Sequence, residues 1–281
     1  MNQLLSDIIG RLSPHLEDRE ARAVARCLCE QLLGLDPVRL YLDKNTQLST
    51  QQQQKLSQAL ERLLKDEPLQ YILGTQSFMG RTFRVGKGVL IPRPETADLV
   101  EKVLRLPLEE ACVLDVGTGS GCIALTLALE RPRWRVTALD NSPAALETAR
   151  ENALLLGADV RFIRLDILRE DLPFNTYDAI VSNPPYVPES DRRDMQASVR
   201  DYEPGEALFV ADEDPLLFYR VIAQKGLSAL KAGGGLLFEI HHLMGKKVCL
   251  LLEEMGYERV CVTKDIEGKD RYVTAQKSML R

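Results

Sequence analysis

The sequence predicts an α/β protein: a doubly wound, mostly parallel sheet closed by an antiparallel hairpin, with a small helical domain ahead of it. Three observations predict this. From Pro94 onward, strand-like and helix-like segments alternate; the first 72 or so residues show only helical periodicity; and a glycine-rich turn joins an apolar strand to a helix, where such sheets bind nucleotides.

In the N-terminal part, Leu4, Leu5, Ile8, Ile9 and Leu12 recur at helical spacing, as do Ala21, Val24, Ala25, Leu28, Leu32 and Leu33. Asp36-Pro37 is a cap with proline at the first helical position, and Thr50 with Gln53 resembles a capping box ahead of Leu56, Leu60, Leu63 and Leu64. The glutamine run 51–54 reads as a solvated face. Between Tyr71 and Ile91, short β-prone stretches around Phe78 and Phe83 are broken by Gly80, Gly86 and Gly88, as in a hairpin. The expected domains are therefore a helical substrate-docking domain over 1–73, a β-hairpin linker over 74–91 and a catalytic domain over 92–281.

In the last of these, helices are expected over 96–106, 122–130, 143–156 and 215–231, and strands over 112–116, 135–139, 160–165, 179–182 and 235–240. A helix over 244–255 and β segments over 259–263 and 271–275 make the closing hairpin. Gly233-Gly234-Gly235 reads as a turn from helix into strand, and Asp265, Asp270 and Arg271 as a turn with a salt bridge. His241 and His242 are expected to point to opposite sides of an extended chain, which disfavours a shared metal.

Composition narrows the function. Among 281 residues, 45% are hydrophobic and 27% charged, and no apolar run nears the ~18 residues of a membrane span. With no secretory signal at the N-terminus, the expectation is a cytoplasmic protein that does not engage a membrane. Six cysteines without CxxC pairing point to reduced thiols and no metal. Against 36 Lys and Arg stand 41 Asp and Glu, a net charge of −5, which disfavours direct nucleic-acid binding. A monomer is expected.

Three strand ends carry a binding pattern. Gly117, Thr118, Gly119, Ser120 and Gly121 let a ligand approach the backbone; Asp140, with Asn141 beside it, ends the next strand and suits a ribose; Asp166, before Ile167, ends the third and suits an exocyclic amine such as that of adenine. The spacing G-x-G-x-G differs from the dinucleotide fingerprint G-x-G-x-x-G and leans towards S-adenosylmethionine, which has a sulfonium and no phosphate.

Across the switch point, Asn183-Pro184-Pro185-Tyr186 follows the fourth strand and resembles the signature of methyltransferases acting on planar amino groups, in DNA adenine and in protein glutamine. An amide nitrogen is a poor nucleophile because its lone pair is delocalised, so it must be aimed. The Asn183 side-chain oxygen and the Pro184 main-chain carbonyl can each accept one N–H, and Tyr186 can stack on the flat face of the group.

Taken with residues 68–74, Phe78-Met79-Gly80, Ile91-Pro92-Arg93-Pro94-Glu95-Thr96 and Tyr202-Glu203-Pro204, the chain resembles the HemK/PrmC family of N5-glutamine methyltransferases. The resemblance implies a class I, Rossmann-like fold and methyl transfer from S-adenosyl-L-methionine to the glutamine of the Gly-Gly-Gln motif of peptide chain release factors, with S-adenosyl-L-homocysteine as product. It assigns residues 117–121, Asp140, Asn141, Asp166, Ile167 and Asn183 to the cofactor, and residues 183–186 to catalysis and substrate binding, with Arg93, Pro94, Glu95 and Thr96 alongside. Ile167 stands where an aromatic is common in the family, and His241 where glycine is usual. Alternatives are a DNA or RNA amino-group methyltransferase, a non-catalytic S-adenosylmethionine-binding module and a nucleotide-dependent dehydrogenase.

Overall fold

A computed structural model describes residues 2–43 and 45–279; Met1, Lys44, Leu280 and Arg281, which fall within the expected domains 1–73 and 92–281, lie outside the described residues. The chain forms two compact units: one runs up to Thr75 and includes Ala197–Tyr202, and the other comprises Gln76–Gln196 and the chain from Glu203 onward.

The first unit contains α1 (Gln3–Leu12), α2 (Asp18–Cys27) continued by a π-helical turn (Leu28–Leu32), α3 (Pro37–Leu42), α4 (Thr50–Leu63) and α5 (Leu69–Leu73). The apolar positions at helical spacing converge: Ile8, Leu12, Leu28, Leu56, Leu60 and Ile72 share one core, each contributing about 1.5–3 kcal/mol on full burial. Asp36 caps α3, its Oδ1 accepting from the Val38 N–H at 2.7 Å. The capping box lies one residue earlier than expected. Ser49, extended, is the cap and exchanges bonds with Gln52, because Thr50 already has helical geometry. Gln52 also departs from the solvated face, donating to the Leu33 carbonyl at 2.9 Å.

The second unit opens within β1 (Thr75–Phe78), at Gln76, and β1 is joined to β2 (Arg81–Arg84) through Met79 (φ 46°) and Gly80 (φ 75°). Two positive-φ residues make the tight turn whose twist suits a hairpin. Phe78 and Phe83 pack edge to face in the unit's core. Buried Asn152 holds the hairpin, accepting from the Arg84 N–H and donating to the Arg84 carbonyl.

Next come α6 (Pro94–Leu104), β3 (Cys112–Val116), α7 (Cys122–Glu130), β4 (Arg135–Asp140), α8 (Pro143–Leu156), β5 (Arg161–Arg164), β6 (Tyr177–Ser182) and β7 (Val187–Pro188). The remaining elements are α9 (Ala197–Arg200), which belongs to the first unit, β8 (Phe209–Val210), α10 (Leu217–Ala229), β9 (Leu230–Glu239), α11 (Gly245–Glu254), β10 (Tyr257–Lys264) and β11 (Asp270–Lys277). The helix expected over 96–106 starts two residues earlier, because Pro94 fits the first helical position, where no N–H is needed.

Seven strands form one sheet in the order β10-β11-β9-β6-β3-β4-β5. From β9 to β5 the pairing is parallel; β11 joins β9 antiparallel and β10 closes the edge as a hairpin. This is the doubly wound sheet with a closing hairpin. Alternate residues face opposite layers: Val113 and Val181 pack against α6 and α7, whereas Leu114, Ile180 and Leu236 form a row under α10 and α11. The strand order reverses between β3 and β6, β4 and β5 following β3 to one side and β9 following β6 to the other, so the loops leaving their C-terminal ends part and open a crevice.

Two further expectations are corrected. Gly233-Gly234-Gly235 lies inside β9 as an irregularity between the pairs Tyr177↔Leu230 and Ala179↔Gly235, since Gly233 takes φ 75° without leaving the strand. His241 and His242 do not diverge, because the chain turns after Glu239 and brings their rings to 4.5 Å. Among the described residues no group of three or more His, Cys, Asp or Glu is placed to hold a metal, and no helix is long and apolar enough to cross a membrane.

Candidate active site

The crevice is a cleft of about 190 Å³ at the C-terminal ends of β3, β4, β5 and β6. Ser182 ties the two central strands together at its floor, its hydroxyl donating to the Val116 carbonyl at 2.7 Å just before both loops leave the sheet.

The glycine turn has two sides. Gly117 (φ 75°) and Gly119 (φ 55°) line the cleft, and a Cβ on either would meet nothing within 4 Å. Gly121 (φ 84°) faces inward, where a Cβ would stand 3.0 Å from Leu125 Cδ1 and 3.2 Å from Ala149 Cβ. Thr118 and Ser120 are buried and build the turn: the Thr118 hydroxyl donates to Asp115 Oδ2 at 2.7 Å, and the Ser120 carbonyl accepts from Asn152. Asp115 Oδ2 also accepts from the Ala124 N–H, while burial pushes its carboxyl up to about 7.

Asp140 and Asn141 line the cleft beside the turn. The Asp140 carboxylate accepts from the Gly119 N–H and from the Ser142 N–H, both at 2.9 Å, so it anchors the turn from the neighbouring strand. Burial raises its pKa against the pull of those bonds. Asp166 and Ile167 line the far end; the Asp166 carboxylate also accepts from the Leu168 N–H at 3.0 Å and pairs with Arg169.

Three carboxylates, Asp140, Asp166 and Glu206, line the cleft, and among the described residues lining it there is no Lys or Arg. Those acceptors suit the hydroxyls, the exocyclic amine and the cationic groups of a nucleoside such as S-adenosylmethionine, and with no cation to offset them they disfavour a pyrophosphate.

Asn183, Pro184 and Pro185 line the same cleft. Asn183 Nδ2 donates to Thr96 Oγ1 at 3.3 Å, and the Thr96 hydroxyl donates to Glu239 Oε2 at 2.8 Å. The Tyr186 hydroxyl donates to the other oxygen of Glu239 at 3.2 Å, with the Tyr186 ring centroid 6.1 Å from that of His241. Glu239 is 1% exposed, and this burial pushes its carboxyl up to about 7. Arg93 is held by Glu203, with which its guanidinium pairs at 2.5 Å, and Glu203 also accepts from the Ile91 N–H. Pro94 opens α6, and the Glu95 carbonyl accepts from the Tyr272 hydroxyl at 2.7 Å. Of the four residues 93–96, Thr96 is the one whose side chain bonds to the tetrapeptide.

Comparisons with known proteins fit this geometry. The PrmC N-terminal domain family matches residues 3–74 and the methyltransferase small domain family residues 95–200. The release factor glutamine methyltransferase of Bacteroides thetaiotaomicron is 45% identical, with 99% of this chain and 100% of the relative covered. That of Flavobacterium psychrophilum is 38% identical, with 95% and 96% covered.

The chain belongs to the release factor glutamine methyltransferase family.

A methyltransferase crystal structure from Pyrococcus furiosus shares the fold at 16% identity, with a TM-score of 0.54 over 82% of this chain and 100% of that one. Within the family pattern, the residues that sequence reasoning did not single out are polar groups behind the cleft: Asp115, Asn152 and Glu239. The available signal was one polar letter inside an apolar run, such as Glu239 closing Leu236-Leu237-Phe238. Glu203 was visible only as part of a motif; the structure joins it to Ile91 and Arg93, so two separated family segments form one loop clamp.

Proposed function

We propose that this chain transfers a methyl group from S-adenosyl-L-methionine to the side-chain amide nitrogen of the glutamine in the Gly-Gly-Gln motif of peptide chain release factors. The observation that carries the reading is that Asn183 and Pro184 share one cleft with Gly117, Gly119 and Asp140. An acceptor for an NH2 group thus stands beside a nucleoside-shaped site. The names of the relatives support the choice of substrate.

In this reading Asp140 accepts from the ribose hydroxyls, Asn141, Asp166 and Ile167 flank the base, and Gly117 and Gly119 let the cofactor lie on the backbone. Thr118, Ser120 and Gly121 hold the turn in shape. Bound there, S-adenosylmethionine supplies a methyl group on a positively charged sulfur, which departs as the thioether of S-adenosyl-L-homocysteine. The Asn183 Oδ1 and the Pro184 carbonyl each accept one amide N–H and present the nitrogen in line with the methyl group. As the N–C bond forms, the nitrogen releases one proton to water. Such positioning supplies up to roughly 7–11 kcal/mol of barrier reduction. The helical unit is assigned to docking the release factor, and the enzyme to the cytoplasm as a monomer with no direct nucleic-acid contact, in keeping with its net charge of −5.

The test incubates the protein with radiolabelled S-adenosylmethionine and, separately, a release factor, the same factor with its Gly-Gly-Gln glutamine replaced, and duplex DNA. Label on the unaltered factor alone is the expected result. Label on DNA alone would reject the reading in favour of a nucleic-acid amino-methyltransferase.

A further inference from the structure

We propose that Thr96 and Glu239 are positioning residues for the transfer: the Glu239 carboxylate fixes the Thr96 hydroxyl, which in turn fixes the Asn183 amide with its oxygen facing the cleft. The inference rests on the methyl-transfer reading above and concerns how the acceptor end of that site is kept an acceptor.

A side-chain amide has two branches of nearly equal shape, one accepting and one donating, and packing alone does not choose between them. Here the choice is made by hydrogen count. The Thr96 hydroxyl has one hydrogen, and it is spent on Glu239 Oε2 at 2.8 Å. Only lone pairs remain to face Asn183, so the branch standing 3.3 Å from Thr96 Oγ1 is the donating Nδ2. Oδ1 is then left for the cleft. With the amide reversed, a substrate NH2 would meet another NH2, and the site would hold no acceptor at that point.

The same carboxylate takes the Tyr186 hydroxyl on its Oε1, so one buried group holds both ends of the tetrapeptide. Burying a carboxylate opposes folding unless it is paired, and Glu239 makes no direct ion pair among the described residues. The nearby Arg271 guanidinium is bonded to Asp265 Oδ2 at 3.1 Å. A neutral residue would serve the core better, which points to a role for the charge.

The groups facing Glu239 are Glu95 on α6, Cys122 on α7, Tyr219 on α10, and Arg271 and Tyr272 on β11, besides Thr96 and Tyr186. Desolvation raises the carboxyl to about 7, against the pull of Thr96, Arg271 and Tyr186, while Glu95 adds to the rise. Protonation puts a hydrogen on an oxygen that must accept. The Thr96 hydroxyl then turns its own hydrogen towards Asn183, which favours the reversed amide. Turnover should therefore fall as pH drops through about 7, while cofactor affinity, set by Asp140 and the glycine turn, falls less.

The experiment measures kcat and KM of the full chain with S-adenosylmethionine and a release factor from about pH 5.5 to about 8.5, for the wild type, Thr96→Val, Thr96→Ser and Glu239→Gln. Calorimetric titration with S-adenosylhomocysteine checks each variant's fold and cofactor site. Thr96→Val should lower kcat roughly tenfold to hundredfold with cofactor affinity within about threefold, and Thr96→Ser should recover kcat to within about threefold of wild type. Glu239→Gln should lose both rate and the acid limb of the kcat profile. Equal impairment of the valine and serine variants, or a valine variant at wild-type kcat, would overturn the proposal. So would an unchanged acid limb in Glu239→Gln. Should that variant fail to bind S-adenosylhomocysteine, the valine and serine pair decides alone. The ratios are read on whichever substrate accepts label from the wild type, so a wrong substrate assignment shows in the wild type and leaves the result for Thr96 intact.

Discussion

Replacing Asp140 by alanine tests the cofactor assignment quantitatively. The carboxylate already accepts two backbone N–H groups, from Gly119 and Ser142, at 2.9 Å each. Its remaining lone pairs are the ones offered to a ribose. A hydrogen bond to a charged acceptor contributes about 1.5–3 kcal/mol; two at the lower end give about 3 kcal/mol, or roughly 150-fold in Kd. Freeing the Gly119 N–H adds to the loss by loosening the turn on which the ligand lies. The assay is calorimetric titration with S-adenosylhomocysteine, which requires no turnover. Asp140→Asn sharpens the test, because its NH2 must face one of the two backbone donors, so it should bind more weakly than wild type despite its similar shape. A Kd for Asp140→Ala within about twofold of wild type would refute the ribose role and leave Asp140 as an anchor of the turn.

Three further outcomes follow from the geometry. Asn183→Ala should abolish transfer while leaving S-adenosylhomocysteine affinity within about tenfold, since it removes substrate orientation more than cofactor contacts; a fully active variant contradicts the mechanism. Gly121→Ala, at φ 84° with its Cβ forced to 3.0 Å from Leu125 Cδ1, should cost about 2–3 kcal/mol in denaturant unfolding, whereas Gly119→Ala should mainly weaken cofactor binding; equal effects on both readouts would undo the two-sided description of the turn. The Asp115 carboxyl, raised by burial from 3.8 to about 7, keeps its proton in the folded chain at pH values where the unfolded chain has lost it. Its contribution to stability therefore declines as pH rises from about 4 to about 7. Asp115→Asn should gain on the wild type across that window, and a constant difference between the two in unfolding free energy would speak against it.

What the sequence made legible was local. The helices α7 and α8 have the expected ends, because Gly121 and Ser142-Pro143 are start signals read within a few residues. Asp140 and Asn183 emerge at strand ends for the same reason. What stayed hidden was long-range: Thr96 and Glu239 are 143 positions apart, and a threonine in a helix's first turn looks like any other until the strand that pairs with it is placed. Nothing in the sequence marks Asn152 apart from other polar residues on a helix, yet it is fully buried and stitches a hairpin and the glycine turn together. The shifted capping box shows the limit within one turn: Ser49-Gln52 and Thr50-Gln53 offer the same spacing, and only the backbone angles distinguish them. For the histidines, the assumption of an extended chain failed where β9 ends.

The most direct test of the central claim is a structure of the chain bound to S-adenosylhomocysteine and a peptide containing Gly-Gly-Gln. The expected result has the glutamine side-chain nitrogen within hydrogen-bond distance of both Asn183 Oδ1 and the Pro184 carbonyl, with the cofactor sulfur on the side of Gly117 and Gly119. An Asn183 turned away from the peptide, or a peptide amide held elsewhere in the cleft, would contradict it.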